Sequence, residues 1–135
     1  MINSTLQVRV YYEDTDAGGV VYHANYLKYF ERARTEMLRE AGFEHDKLLK
    51  DEQVIFIVYK ICIDYLKPAL MNDMLTISSS VIKTGSASIF FEQSIQNQND
   101  GLVCKAEVRV ACVDRTTLRP VPIPEPVILE LDNVN

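Results

Sequence analysis

The chain has 135 residues, 47% of them hydrophobic and 24% charged, and a formal net charge of -5 at pH 7. That length suits one compact domain with its own core, so residues 1–135 read as a single domain. Scattered basic residues leave no footprint for nucleic acid, and the broken apolar runs, with no basic stretch before an apolar one at the N-terminus, argue against export and membrane insertion.

In chain order, Val8, Val10 and Tyr12 alternate with Gln7, Arg9, Tyr11 and Glu13, which predicts a half-buried strand ending near Asp14 with Tyr12 on its apolar side. The run Thr15-Asp16-Ala17-Gly18-Gly19 follows, and its glycines permit a tight loop and close approach to the main chain. From Asn25 the period changes. Tyr26, Tyr29, Phe30, Ala33, Met37 and Ala41 recur every three or four residues, predicting an amphipathic helix of about 17 residues and roughly 25 Å, with Asn25 as N-cap and Gly42 as the stop. Glu31, Arg32 and Arg34 read as surface pairing on that helix.

Glu44 to Glu52 reads as a polar connector. A long strand from Gln53 to Leu66 then places Ile55, Ile57, Tyr59, Ile61, Ile63 and Tyr65 on one face. Pro68 and Asn72-Asp73 punctuate, and Leu75, Ile77, Ser79 and Val81 alternate up to the turn at Thr84-Gly85-Ser86. Ala87 to Ile95 and Leu102 to Asp114 form a hairpin around Asn97 to Gly101. Prolines at 120, 122, 124 and 126 predict an extended tail packed on the surface. One strand, one long helix and four more strands make an α+β domain, with a five-stranded antiparallel sheet curled around the helix.

Three cysteines, Cys62, Cys104 and Cys112, form no CxxC pair and are odd in number, which suits reduced thiols in a cytoplasm. Cys104 and Cys112 share the parity of Leu102, Ala106, Val108 and Val110 and are expected in the core. With only His23 and His45, well separated, no zinc constellation is visible and no catalytic metal is expected. There is no GxSxG elbow and no phosphate-binding loop. Ser78 to Ser80 read as the solvent side of a strand.

What remains is the segment from Tyr12 to Tyr26, which joins acids to a helix start. A helix N-terminus presents unpaired backbone donors and a positive dipole end. A carboxylate opposite those donors is half of an acyl-transfer site. Equally, Asp14 and Asp16 could simply solvate a turn, since Asp and Gly are ordinary turn residues.

The runs Arg9-Val10-Tyr11-Tyr12-Glu13-Asp14-Thr15-Asp16, Gly19-Val20-Val21-Tyr22-His23-Ala24-Asn25-Tyr26 and Phe30-Glu31-Arg32-Ala33-Arg34 resemble the 4-hydroxybenzoyl-coenzyme A thioesterase family, and within it the bacterial YbgC-type acyl-coenzyme A thioesterases. The resemblance implies the hotdog fold and hydrolysis of acyl-coenzyme A thioesters with short to medium or aromatic acyl groups. It implies that Asp16 is the active-site carboxylate, acting as nucleophile or general base. A backbone N–H near His23 would polarise the carbonyl, His23 and Tyr12 would line the site, and Gly19 would let the substrate approach the chain. Glu13 and Asp14 are assigned turn and solvation roles. It further implies a homodimer or homotetramer with sites at the subunit interface, an acyl carrier protein as a possible second partner, and no cofactor beyond the coenzyme A of the substrate. Lys60, Lys83, Lys105 and Arg115 are candidates for its phosphates by charge alone. A non-catalytic adaptor for acyl chains or acyl carriers at a membrane-associated complex would share the fold, and a hotdog dehydratase would need a His with an acidic partner in a different segment.

Overall fold

In the computed structural model, which describes residues 2–132, the strands are β1 (Asn3–Arg9), β2 (Val54–Tyr65), β3 (Met74–Thr84), β4 (Ser88–Gln96) and β5 (Leu102–Asp114). The helices are α1 (Asn25–Glu40), α2 (His45–Glu52) and α3 (Glu125–Leu131), and a short 3-10 turn covers Tyr12–Asp14. All strand pairs are antiparallel, in the order β1-β3-β4-β5-β2. Consecutive hairpins join β3, β4 and β5, whereas β2 crosses to the far edge beside β5 instead of pairing with β3.

The apolar stripe of α1 is the buried one. Tyr26, Tyr29, Phe30, Ala33 and Met37 join Leu75, Ile77, Ile89, Phe91, Ile95 and Val108 in one core, so the long helix lies along one face of the sheet. Cys104 and Cys112 are buried in this core as expected, and Cys62 is exposed. Burial pushes the Cys104 thiol up to about 12 and the Cys112 thiol up to about 11.

Six local expectations are corrected. Ser79 is buried, not on the solvent side of its strand, because it shares the core face of β3 with Ile77 and Val81. The first strand ends at Arg9, where Val10 instead pairs with the Asn72-Asp73 turn; Tyr12, beyond it, is 80% exposed rather than core. The connector from Glu44 to Glu52 is largely helical. Its sequence hides this because Leu48 is its one buried residue, and one anchor makes no stripe. In β2 the register slips between Val58 and Lys60. Phe56 and Val58 therefore oppose core residues Cys112 and Val110, while beyond the bulge Ile61, Ile63 and Tyr65 oppose Val108, Ala106 and Cys104, leaving Ile55 and Ile57 on the other face. Arg34 is no surface residue: it is buried, and burial lowers its pKa. The tail is extended only as far as Pro124, the N-cap of α3, whose Val127 and Leu131 enter the core.

Candidate active site

The segment between β1 and α1 is a small hairpin stapled at several levels. Asp14 is its hub. Its main-chain oxygen accepts from Tyr22 N at 3.0 Å and from Asn25 Nδ2 at 2.8 Å, and its carboxylate accepts from Tyr11 N at 2.8 Å. Solvation of a turn is therefore too small a role for Asp14. Thr15 bridges Val21, and Asp16 N donates to Val20 O at 2.9 Å. Val21 N donates to Ala69 O at 2.9 Å and Val20 bridges Leu70, which ties the hairpin to the segment leaving β2.

At the exposed tip, Asp16 Oδ1 accepts from Gly18 N at 2.8 Å, and Gly19 N donates to Asp16 O at 3.0 Å. Gly19 has φ +79°, a left-handed conformation that favours glycine, and the space above its Cα is open. Gly18 is constrained otherwise: a Cβ there would stand 3.2 Å from Asp16 Oδ1. The two glycines thus have separate reasons. One sets the backbone, and the other leaves room for the carboxylate.

The start of α1 departs from expectation. Ala24 is the N-cap and supplies no side-chain cap, because Asn25 sits one residue inside the helix and spends its amide on Asp14 O. Asn25 N donates to Tyr22 O, but neither His23 N nor Ala24 N has an acceptor among the described residues. Two donors at the positive end of a 16-residue helix are thus left without an acceptor among the described residues.

His23 is exposed. Its carbonyl accepts from Tyr65 Oη at 3.0 Å, its ring lies 4.5 Å from that of Tyr22 and edge-on to Tyr65 at 6.2 Å. Tyr26 Oη accepts from Ala69 N at 3.1 Å, and its ring packs against Tyr65 at 5.6 Å. Burial raises the pKa of both phenols, so both stay protonated at neutral pH. Tyr29 is shifted further upward by burial and by the nearby Asp14 charge, and its buried hydroxyl has no hydrogen-bond partner among the described residues.

The structure brings Asp16, Gly19 and His23 onto one hairpin. Tyr12 shares that hairpin only through its carbonyl, which accepts from Thr15 Oγ1 at 2.7 Å; no described side-chain contact joins it to Asp16 or His23. Sequence reasoning missed Tyr65 and Asn25 as elements of the site. Tyr65 looks like any strand aromatic, and Asn25 looks like an N-cap.

A sheet curled around one long helix, with a carboxylate loop leading into that helix, defines a hotdog-type α+β protein. The chain belongs to the thioesterase-like superfamily, which it matches over residues 10–131. It is 49% identical over 120 residues to the acyl-CoA thioesterase YbgC of Haemophilus influenzae, covering 89% of this chain and 88% of that one. It is 46% identical over 132 residues to the acyl-CoA thioester hydrolase YbgC of Escherichia coli (strain CFT073), covering 96% and 98%. The crystal structure of a probable thioesterase from Bartonella henselae superposes with a TM-score of 0.86 at 35% identity, over 91% of this chain and all of that one.

Proposed function

We propose that this chain hydrolyses acyl-coenzyme A thioesters to free acid and coenzyme A, with Asp16 as the reacting carboxylate. The observation that carries the reading is the pairing of Asp16, positioned by Gly18 N, with the uncapped start of α1 on the same hairpin. The free N–H groups of His23 and Ala24 are suited to receive the oxyanion that develops when a thioester carbonyl is attacked. Relatives named as acyl-CoA thioesterases at 46–49% identity support the same chemistry.

As nucleophile, Asp16 attacks the carbonyl carbon, the thiolate leaves and is protonated by solvent, and water then opens the mixed anhydride. As general base, it takes the proton of a water that attacks the same carbon. Of the two routes the nucleophilic one is proposed. His23 is assigned to orienting substrate or water, Gly19 to admitting the carbonyl, and Tyr12 to lining the site across a subunit interface. Short to medium or aromatic acyl groups are the expected substrates, as coenzyme A or acyl carrier protein thioesters, in the cytoplasm. No helix of the described residues is long and apolar enough to cross a membrane.

The open edge at β2 supports an interfacial site. This edge strand exposes Ile57, Val58 and Tyr59, and pairing it with a second copy would remove an open edge.

Asp16→Asn keeps the shape and removes the charge, so turnover should fall by at least about 10²-fold with acyl-coenzyme A binding retained. Near-normal turnover in Asp16→Asn overturns the assignment, and no hydrolysis of any thioester by the pure protein leaves the adaptor reading in its place. A single turnover in oxygen-18 water separates the routes: unlabelled acid requires water attack on the aspartyl carbonyl of an anhydride.

A further inference from the structure

The two N–H groups assigned to the oxyanion belong to successive peptide units, Tyr22–His23 and His23–Ala24. In a trans peptide the carbonyl points away from the N–H, so whatever holds the carbonyl also fixes the direction of the donor on the other side. Tyr22 O accepts from Asn25 N at 2.8 Å, so the helix start itself holds the first unit. The second unit is held differently. No main-chain N–H donates to His23 O among the described residues, and its donor is the Tyr65 hydroxyl at 3.0 Å. The aim of Ala24 N–H is therefore set from β2.

Tyr65 stands on a firm base. It is the last residue of β2, opposite Cys104 on β5, and the next two main-chain donors, Leu66 N and Lys67 N, both reach Val103 O, at 2.9 and 3.1 Å. Its ring packs 5.6 Å from that of Tyr26 and edge-on at 6.2 Å to that of His23. Further along the same segment, Ala69 clasps the helix start from two sides, its N donating to Tyr26 Oη and its O accepting from Val21 N. Tyr65 is also 47% exposed. A phenol that open can donate to water instead, so its bond to His23 O adds little to folding, and its consequence lies in the peptide that it holds.

We propose that Tyr65 is a positioning residue for the hydrolysis: its hydroxyl orients and polarises the His23–Ala24 peptide so that Ala24 N–H serves the oxyanion. This role rests on thioester hydrolysis at Asp16. When the thioester carbonyl is attacked, negative charge gathers on its oxygen and draws on the Ala24 N–H. Amide resonance then shifts electron density onto His23 O, where the Tyr65 hydroxyl meets a stronger acceptor. The Tyr65 bond is accordingly stronger in the transition state than with bound substrate, and only interactions of that kind raise kcat. Burial raises the Tyr65 pKa, so the donor is present at neutral pH. No atom of Tyr65 has to touch the substrate, and no proton leaves it.

Tyr65→Phe keeps the ring and removes the donor. In the full chain, kcat should fall by about 5- to 50-fold, less than the loss of roughly 10²- to 10³-fold on deleting an oxyanion donor outright. Two inert coenzyme A analogues separate positioning from packing: an S-alkyl thioether, which has no carbonyl, and a ketone with a methylene in place of the thioester sulfur. Tyr65→Phe should bind the thioether as wild type does and the ketone at least about threefold more weakly. Equal weakening of both means that Tyr65 only packs the site, and overturns the proposal. With a carbon-13 thioester bound to Asp16→Asn, adding Tyr65→Phe should move the infrared carbonyl stretch to higher wavenumber; an unmoved band also overturns it. Circular dichroism checks folding, and 4-aminophenylalanine in place of Tyr65, which retains a donor, should recover most of kcat, whereas a kcat as low as that of Tyr65→Phe refutes the role. Wild-type kcat in Tyr65→Phe, with Asp16→Asn inactive, removes the Tyr65 role alone. A wild-type chain that hydrolyses no thioester removes the hydrolytic reading and this role with it.

Discussion

Gln93 should be the most sensitive polar side chain in the core. Arg34, only 9% exposed, donates from Nη1 to Gln93 Oε1 at 3.0 Å, its one hydrogen bond among the described residues. Gln93, 1% exposed, donates from Nε2 to Phe30 O at 3.0 Å and to Ser79 Oγ at 2.8 Å. One amide therefore ties α1 to β3 and β4 and also serves a buried cation. Gln93→Leu keeps the volume but leaves the guanidinium without its hydrogen-bond partner and removes the second hydrogen bond to the Phe30 carbonyl, at a cost of about 3–5 kcal/mol. For a chain of this size the unfolding entropy is about 0.28 kcal/mol/K, so the melting temperature should fall by roughly 10–18 °C. Urea unfolding followed by circular dichroism, with unchanged m, measures the loss directly. Adding Arg34→Met removes the stranded charge and should restore most of the stability, with a coupling energy of at least about 2 kcal/mol in the double-mutant cycle. A loss below about 1 kcal/mol in Gln93→Leu, or additive effects in the cycle, refutes the claim that a buried charge is at stake.

The two loop glycines should fail differently. Gly19→Ala forces an alanine to φ near +79° and should cost about 1–2 kcal/mol, read as a melting temperature roughly 4–7 °C lower. Gly18→Ala should leave stability nearly unchanged while pushing on Asp16 Oδ1, so kcat should drop by about 3- to 30-fold; a wild-type kcat in Gly18→Ala would count against Asp16 as the reacting group. Thiol labelling should find Cys104 and Cys112 silent until unfolding, and the exposed Cys62 fast in the folded protein. Rapid labelling of all three sites in the native protein would contradict the burial. Raised thiol pKa values add a pH dependence of definite sign. Cys104 stays neutral in the folded chain to about 12, while the unfolded chain ionises it from about 8.5, so its contribution is intact below that value and is lost as pH rises toward 12. Cys112 acts likewise up to about 11, and Cys104→Ala/Cys112→Ala should lose less stability between pH 8 and 10.5 than wild type does; an equal loss refutes this.

Periodicity made most of the fold readable. The α1 stripe from Tyr26 to Met37 and the two-residue alternation of β3, β4 and β5 each bury an uninterrupted set of side chains, and such sets leave a clear pattern. Where packing breaks the period, the pattern misleads. The β2 bulge at Tyr59 moves the core face from even to odd positions, so reading one face from Ile55 to Tyr65 mixes two sides of the sheet. α2 has a single buried anchor and α3 begins among prolines, so each owes its helix to docking rather than to a stripe. Partner order in the sheet is a non-local fact, and nothing in the Val54–Tyr65 run announces that it will lie beside β5.

The site was legible as a motif but not as a mechanism of assembly, and the difference lies in Asn25. By type and position it reads as the cap of α1, and a side-chain cap would have consumed donors at the helix start. Its amide instead reaches back to Asp14 O, which already holds Tyr22 N, so one residue closes the hairpin and at the same time leaves the helix uncapped. Ala24, with no acceptor in its side chain, then occupies the capping position. The hairpin thus supplies the carboxylate and withholds the cap, and both follow from a single carbonyl. Asn25→Asp tests this linkage: the carboxylate cannot donate to Asp14 O, so the hairpin should loosen. Turnover should therefore fall by roughly tenfold or more, in line with misplacing a reacting group, while α1 itself loses little stability. Unaltered turnover in Asn25→Asp would detach the placement of Asp16 from the helix start.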